Sequence, residues 1–195
     1  FDAFTPCSTT CGAACVLGES WENDPADNVP NRDWATDFGG TPSSPTGPSD
    51  DRTGGGNYLY FESSSSCGGS DTANVTSPVI DLTSTVSPGV SFWYHMYGSS
   101  MGDLHVDILD ENKNVLQLDV IPSITDNKNE WQNASFPIVA YIGQKIRVRF
   151  RGVSGSSYWS DMAIDDFEAF DLVPDVGITS LGGPKQQACG TSAAN

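Results

Sequence analysis

The chain has 195 residues and a net charge of −16, from 25 acidic and 9 basic side chains. So few basic residues argue against nucleic acid as a partner, because contacts to phosphate need Lys and Arg. An aromatic share of 10% argues against the disorder that so acidic a composition otherwise favours. No apolar run approaches the ~20 residues of a membrane-spanning helix. These features indicate a folded domain with some flanking sequence.

The N-terminal segment, residues 1–18, is rich in Cys, Thr and Ala, and we predict a leader or cap rather than a strand. The chain does not begin with Met, so we expect a processed or excised piece. Its five cysteines lie at positions 7, 11, 15, 67 and 189. We expect one or two disulfides in an oxidising compartment, with a connectivity that the spacing does not reveal. A zinc site built from the first three cysteines, the alternative, would need a fourth ligand.

Residues 23–57 are rich in Pro, Gly, Ser, Asn and Asp, which predicts a long loop interrupted by Asp33-Trp34. A loop of this length is usually functional or held down by other parts of the protein. From Tyr58 onwards the pattern changes to short alternating runs. Besides the run that begins at Phe92, described next, strands are predicted over 58–61, 73–82, 103–109, 115–120, 130–136, 144–152 and 162–171.

The run from Phe92 to Gly98 is the clearest strand, with both faces committed to bulky side chains. Phe92, Tyr94 and Met96 point to one face, and Trp93, His95 and Tyr97 point to the other. In the run 115–120 we predict that Leu116, Leu118 and Val120 face inward. Many short strands and no amphipathic helix indicate an all-β, antiparallel two-sheet β-sandwich.

Five short motifs occur in a fixed order along the chain. They are Trp21-Glu22, Asp33-Trp34, the Gly47–Thr53 segment, Gly56-Asn57-Tyr58 and the segment from Asp161 to Asp166. Together with the Phe92–Gly98 strand, they resemble the MAM domains of extracellular and cell-surface proteins, over roughly residues 19–171. The resemblance implies a jelly-roll topology.

Two departures from the family pattern are visible. Arg52 stands where His is usual, and Val90 replaces a cysteine of the animal members, so the animal disulfide pattern is not transferred. The Cys-poor, Ser/Thr/Gly-rich composition resembles MAM modules of secreted bacterial enzymes and adhesins. Residues 172–195 are predicted to be a linker and the start of an Ig-like module.

Acidic residues next to the family motifs form a predicted Ca²⁺ site. A jelly roll places its first and last strands close together, and Ca²⁺ takes six to eight oxygen ligands from such irregular acidic loops. The resemblance also implies a cation near the N-terminal strand, whose role is to hold the long loop. The predicted ligands are Glu22, Asp24, Asp51, Asp165 and Asp166, with Glu62 in reserve. The alternative is that each acid forms a turn or is a solvated charge.

Catalysis receives little support from the sequence. A glycosidase needs two carboxyl groups facing each other across a cleft. Asp103 and Asp107 share a strand face, but His105 lies between them. The chain has two histidines and neither a Gly-x-Ser-x-Gly nor a His-Glu-x-x-His motif, so it offers few residues for the active site of a serine or zinc hydrolase. We therefore predict that the chain is not an enzyme.

Four of the nine basic residues alternate along one predicted strand, and we name them the basic ladder: Lys145, Arg147, Arg149 and Arg151. One interpretation is a binding face for a carboxylate, a sulfate or an acidic protein. The other is ion pairing across strands with acids such as Asp103, Asp107 and Asp119.

Aromatic residues in Gly/Ser-rich stretches are candidate ligand contacts, because rings stack on sugars or anchor protein contacts. Tyr158 and Trp159 are the best candidates. Trp34 and Trp131 occupy positions within the resemblance, and we expect them in the core.

These observations predict a non-catalytic recognition or adhesion module of a multidomain secreted or cell-surface protein. Its predicted partner is an extracellular protein or a polysaccharide, with contacts to other domains of the same parent chain. The alternative is a carbohydrate-binding module that targets an attached hydrolase or peptidase to polysaccharide. A structural spacer is the third possibility. The fold does not decide among them.

Overall fold

The computed structural model describes residues 1–7, 15–24, 33–63 and 70–172. These residues form the following strands in chain order: β1 (Glu22–Asn23), β2 (Ala35–Asp37), β3 (Tyr58–Phe61), β4 (Thr72–Thr76), β5 (Ile80–Asp81), β6 (Pro88–Met96), β7 (Asp103–Asp110), β8 (Val115–Gln117), β9 (Lys128–Pro137), β10 (Lys145–Val153) and β11 (Met162–Asp171). A 3-10 helix, Val139–Tyr141, follows β9.

The strands form two antiparallel sheets. Sheet one has the order β1-β4-β10-β7-β8, with β5 beside β10, and sheet two has the order β2-β3-β11-β6-β9. The chain passes repeatedly from one sheet to the other, as in a jelly roll. The predicted all-β sandwich is confirmed. No helix in the described part of the chain is long and apolar enough to cross a membrane.

The interior between the sheets is filled by the alternating side chains of the predicted strands. Phe92, Tyr94 and Met96 all face this interior, as predicted, and Phe150 of β10 lies against them. The ring centroids of Phe92 and Phe150 are 4.8 Å apart. Trp34 is fully buried, and its Nε1 donates to the Ala73 carbonyl oxygen at 3.1 Å. Its predicted core position is confirmed.

A second buried cluster lies on the opposite, outer face of sheet two. We name Tyr58, Tyr60, Ala163 and Trp131 the outer cluster. Residues 38–57, the covering loop, are attached to this face by hydrogen bonds. The Tyr58 hydroxyl donates to the Gly39 carbonyl at 2.8 Å, and Trp131 Nε1 donates to the Asp50 carbonyl at 3.1 Å. The loop that was predicted from composition is therefore attached to the sheet by direct contacts.

Two strand predictions need correction. The predicted strand 73–82 is divided into β4 and β5, with Ser77, Pro78 and Val79 between them. In the 115–120 segment, Leu116 and Leu118 are exposed, not inward. The reason is that β8 is a three-residue edge strand whose register against β7 shifts at Ile108/Leu109, so its alternation does not continue that of an interior strand.

The N-terminal segment contributes to the interior, since Phe4 and Leu17 are buried in the main core. Cys7 and Cys15 form a disulfide, so a zinc site that uses both thiolates is excluded. Cys11, Cys67 and Cys189 lie outside the described residues, as does the predicted linker and module start beyond Leu172.

Candidate functional site

Three of the predicted metal ligands, Asp51, Asp165 and Asp166, either adjoin Arg52 in sequence or bond to it. The Arg52 amide donates to Asp165 Oδ2 at 3.1 Å, and the Arg52 guanidinium bonds to Asp166. Asp51 precedes Arg52 in the same turn. The guanidinium carbon also lies 4.8 Å from the Trp93 ring centroid, in a cation–π geometry. Arg52, which replaces the usual family His, thus connects the covering loop to β11.

The carboxylate of Asp51 is held by the turn that follows it. It accepts hydrogen bonds from the Thr53 amide, the Thr53 hydroxyl and the Gly56 amide. Burial opposes ionisation, but these bonds outweigh it and lower the pKa of Asp51 to about 2. Burial raises the pKa of Asp165, against the effect of its bonds from the Arg52 and Asp166 amides.

The remaining predicted ligands lie elsewhere. Glu22 belongs to β1 of sheet one, where it pairs with Lys113 and with Arg147 at 3.5 Å. Asp24 follows the same strand, and its amide donates to the Asn74 carbonyl. β1 pairs with β4, whereas β11 lies between β3 and β6 of sheet two. The first and last strands are therefore not neighbours, contrary to our expectation. Within the described ranges, no group of three or more His, Cys, Asp or Glu residues could hold a metal ion.

The basic ladder lies on the outer face of sheet one and is extensively ion-paired. Arg149 and Arg151 both bond to Asp107, at 2.7 and 3.1 Å, and Arg151 also reaches Asp119 at 3.2 Å. Lys145 lies 3.9 Å from Asp81. The ladder is therefore neutralised in large part by acids of neighbouring strands and loops.

Asp107 is the centre of this ion-pair network, and its side chain is fully buried. Burial opposes its ionisation, but bonds from Arg151, the Asp119 amide and Arg149 lower its pKa. A buried carboxylate with two guanidinium partners favours a structural role for these arginines. A role of the ladder in ligand binding stays a prediction, with Lys145 its most exposed member.

Tyr158 and Trp159 lie in the loop between β10 and β11. Their ring centroids are 4.6 Å apart, and Tyr158 is exposed to 44%. The Trp159 carbonyl accepts a bond from the Ser100 amide, whereas its buried indole nitrogen has no hydrogen-bond partner. The pair thus presents one accessible ring on a loop that is fixed at its backbone.

An acid pair, Glu62 and Asp161, is buried at the end of the outer cluster. The Tyr60 hydroxyl donates to Glu62, and Asp161 Oδ1 accepts from the Ser63 amide and hydroxyl. Asp161 Oδ2 is buried without a partner. Burial, followed by the nearby Glu62 charge, raises the pKa of Asp161 to about 7. The sequence pointed only to Glu62, because the burial of Asp161 depends on loops distant in sequence.

A set of exposed apolar side chains lies in two segments, at β8 on the edge of sheet one and after β9 of sheet two, and only Leu116 and Leu118 among them were predicted to face inward. We name it the edge patch, and it consists of Val115, Leu116, Leu118, Val139 and Ile142, each 43 to 55% exposed. The Tyr141 hydroxyl donates to Gln117 Oε1 at 2.7 Å, which connects the 3-10 helix to β8. No charged residue occurs between Val115 and Leu118 or between Trp131 and Gln144.

Comparison with known families identifies the class of the protein. The model of the family described as MAM domain, meprin/A5/mu, matches residues 8–171. The chain therefore belongs to the MAM family. MAM domains are extracellular, non-catalytic adhesion modules.

Two relatives illustrate the similarity. MAM domain-containing glycosylphosphatidylinositol anchor protein 1 of Rattus norvegicus is 36% identical over 138 residues, 70% of this chain and 13% of the relative. Neuropilin-1a of Danio rerio is 28% identical over 166 residues, 82% of this chain and 18% of the relative. The chain thus spans less than a fifth of either protein. Both are vertebrate proteins, so the predicted bacterial variant receives no support.

Solved structures agree with the fold. The K2 cleaved adhesin domain of Lys-gingipain matches with a TM-score of 0.56 at 16% identity, covering 86% of this chain and 98% of that domain. TmCBM61, solved in complex with beta-1,4-galactotriose, matches with a TM-score of 0.51 at 14% identity, covering 78% of this chain and 88% of that module. At these identities the likeness concerns the β-sandwich alone.

Proposed function

We propose that this MAM domain is an extracellular adhesion module that binds a protein partner through the edge patch. Family membership supports the adhesion role, and the edge patch is the observation that supports the location. Exposed apolar side chains without charges are typical of the centres of protein interfaces. The bulk of the molecule is strongly acidic, so its uncharged surface is the part that a protein can cover with the smallest desolvation cost.

The position of β8 at the edge of sheet one would let backbone hydrogen bonds contribute to partner binding. In the described part of the chain, β8 pairs with β7 alone, so its other edge is open to a further strand. An extended segment of a partner can add to such an edge and contact the apolar side chains at the same time. The partner that fits is a separate extracellular protein with an extended apolar segment. Basic residues beside that segment would complement the net charge of −16.

The proposal is tested by immobilising the full chain and measuring its binding to a panel of purified cell-surface ectodomains. Leu116→Asp places a charge in the patch, and we expect a loss of about 2 kcal/mol or more, roughly thirtyfold in affinity. Val79→Asp is the matched control, because Val79 is similarly exposed at 41% but lies outside the patch. Equal affinities for the two variants would refute the location.

A second candidate is glycan binding by the Tyr158–Trp159 pair. The specific observation is an accessible tyrosine ring supported by a neighbouring indole on a Gly/Ser-rich loop. In this case the domain is a carbohydrate-binding module that targets an attached hydrolase or peptidase. A glycan array with the parent chain and Tyr158→Ala tests it, and binding that survives the substitution argues against this site.

We further propose a structural Ca²⁺ ion near Arg52, using Asp51 and Asp165 with carbonyl oxygens of the covering loop. The support is that Asp165 accepts a bond from the amide of Arg52, the residue after Asp51, whereas Glu22 is ion-paired with Lys113 and Arg147. A ligand that binds only the native state raises the melting temperature. A chelator should therefore lower it, and an unchanged melting temperature would refute the ion.

The proposed setting is the secreted or cell-surface part of a larger protein. Its support is the family, together with the small share of each relative that the chain covers. Limited proteolysis of the parent protein, followed by mass spectrometry, tests whether a stable fragment ends near residue 172.

A further inference from the structure

A shallow cavity lies between the covering loop and the end of β6. Its volume is about 240 Å³, and its walls include Thr41, Ser44, Pro45, Ser49 and Tyr97. We name it the Tyr97 cavity. Among the described residues, neither Tyr158 nor any member of the edge patch lines it. Its lining therefore shares no residue with either surface considered above.

The walls of the Tyr97 cavity are fixed by hydrogen bonds within the protein. The Thr41 hydroxyl donates to the Thr46 carbonyl at 2.7 Å. The Gly47 amide and the Thr46 hydroxyl both donate to the Tyr97 carbonyl, at 3.0 and 2.8 Å. Gly47 has a φ of +67°, and a Cβ there would lie 2.5 Å from Thr41 Cγ2, so the loop requires glycine. The cavity is thus largely pre-formed, which reduces the entropic cost of binding.

The chemistry of the walls selects for a neutral, hydroxyl-rich ligand. No lining residue in the described part of the chain carries a charge, although the chain as a whole has a net charge of −16. Ser44 and Ser49 are exposed on the rim and offer hydroxyl groups that both donate and accept hydrogen bonds. Tyr97 and Pro45 add apolar surfaces. Hydroxyl groups beside apolar surface match the two kinds of surface on a sugar ring, its hydroxyl groups and its C–H face.

The size of the cavity limits the ligand further. Its volume of 240 Å³ lies below the roughly 300 Å³ at which drug-sized sites start. A single ring fits these dimensions better than an oligomer. We propose that the Tyr97 cavity binds one uncharged sugar residue, presented as a monosaccharide or as the terminal unit of a neutral glycan. This activity goes beyond protein adhesion and does not depend on the edge patch.

The test uses saturation-transfer NMR of the full chain with neutral methyl glycosides of galactose, glucose, mannose and N-acetylglucosamine at millimolar concentrations. We expect transfer to at least one of them, with weaker binding by at least about tenfold for glucuronate, because the acidic protein repels it and the cavity offers no cation. Tyr97→Ala should abolish the signal. Tyr158→Ala, an exposed aromatic outside the cavity, is the matched control and should retain it.

Melting temperatures of both variants establish that they are folded. If Tyr97→Ala does not fold, Ser49→Trp fills the cavity from an exposed rim position and should abolish the signal in the same way. Absence of transfer to every neutral sugar would overturn the proposal. Transfer that persists in Tyr97→Ala, or that is lost in Tyr158→Ala, would overturn the location by assigning binding to another surface. A failed edge-patch experiment would leave this result unaffected.

Discussion

Two buried clusters lie on opposite faces of sheet two, and they are buried by different means. On β3, Leu59 and Phe61 point into the interior core, whereas Tyr58 and Tyr60 point into the outer cluster. The interior is closed by a second sheet and is almost entirely apolar. The outer cluster is closed by the covering loop and includes tyrosine hydroxyls and acids among its neighbours.

The difference follows from what covers each face. A sheet presents a regular array of side chains and satisfies its own backbone, so an apolar interior is the stable solution. A loop brings unpaired backbone groups, and these need polar partners below them. Tyr58, Trp131 and Asp165 supply such partners for the covering loop. Long-range hydrogen bonds thus hold the cover of the outer cluster in place, whereas apolar packing holds the two sheets of the core together.

The largest expected effect is in the interior core. Phe150→Ala removes a fully buried ring whose centroid lies 4.8 Å from that of Phe92 and 6.0 Å from that of Phe167. We expect a loss of about 3–5 kcal/mol in the free energy of unfolding, from lost burial and the remaining cavity. Urea denaturation measures it. A loss below about 1 kcal/mol would show that the interior does not dominate stability.

The outer cluster should respond to pH. The pKa of Asp161 is raised to about 7 from 3.8, so the folded state holds a proton that the unfolded state has lost between these values. Stability therefore falls as the pH rises through this window, by up to about 1.4 kcal/mol per pH unit. Burial lowers the pKa of His95, which packs on Trp131, to about 4 from 6.5. Its contribution has the opposite sign, so stability rises with pH between about 4 and 6.5.

Two variants separate these opposing contributions. In Asp161→Asn, the free energy of unfolding should rise as the pH increases from 4 to 6.5. In His95→Gln, it should fall as the pH increases towards 7. Urea denaturation across this range provides the measurement. Parallel curves for the two variants would mean that neither group titrates as its burial implies.

A smaller effect is expected where the covering loop is held. Asp51→Ala removes three hydrogen bonds to Thr53 and Gly56, and we expect a loss of about 1–3 kcal/mol. Hydrogen exchange should rise in residues 38–57 while the interior strands stay protected. Uniform loss of protection across both sheets would mean that the loop and the sandwich unfold as one unit.

The smallest effect is at Trp131. Trp131→Phe keeps a ring against Tyr58 but removes the bond from Nε1 to the Asp50 carbonyl. We expect a loss of about 1 kcal/mol, with faster exchange confined to the middle of the covering loop. A larger loss than that of Asp51→Ala would place the main attachment of the loop here.

The sequence predicted the interior more completely than the outer face. Alternation in the Phe92–Gly98 run assigned Phe92, Tyr94 and Met96 to the core, because an interior strand is constrained on both sides. The same reasoning failed for Leu116 and Leu118, since an edge strand has one neighbour and its side chains can face solvent.

The candidate sites depended on distances that the sequence does not contain. Composition identified residues 38–57 as part of a long loop, but not the hydrogen bonds that attach it to sheet two. Asp165 bonds to the amide of Arg52, the residue after Asp51, whereas Glu22 lies elsewhere because β1 and β11 belong to different sheets. The basic ladder had two open interpretations: the structure shows the ion pairs with Asp107 and Asp119, which the cross-strand register makes possible, and ligand binding stays a prediction.

We propose that uncharged surface, and not the basic ladder, carries recognition. The most direct measurement compares the parent chain, Leu116→Asp and Lys145→Ala for binding to one ectodomain that the parent recognises. Lys145 is the ladder residue with the greatest exposure, and its substitution leaves the Asp107 network intact. We expect at least roughly thirtyfold weaker binding for Leu116→Asp and an unchanged affinity for Lys145→Ala. Loss of binding in Lys145→Ala, with Leu116→Asp unaffected, would contradict it.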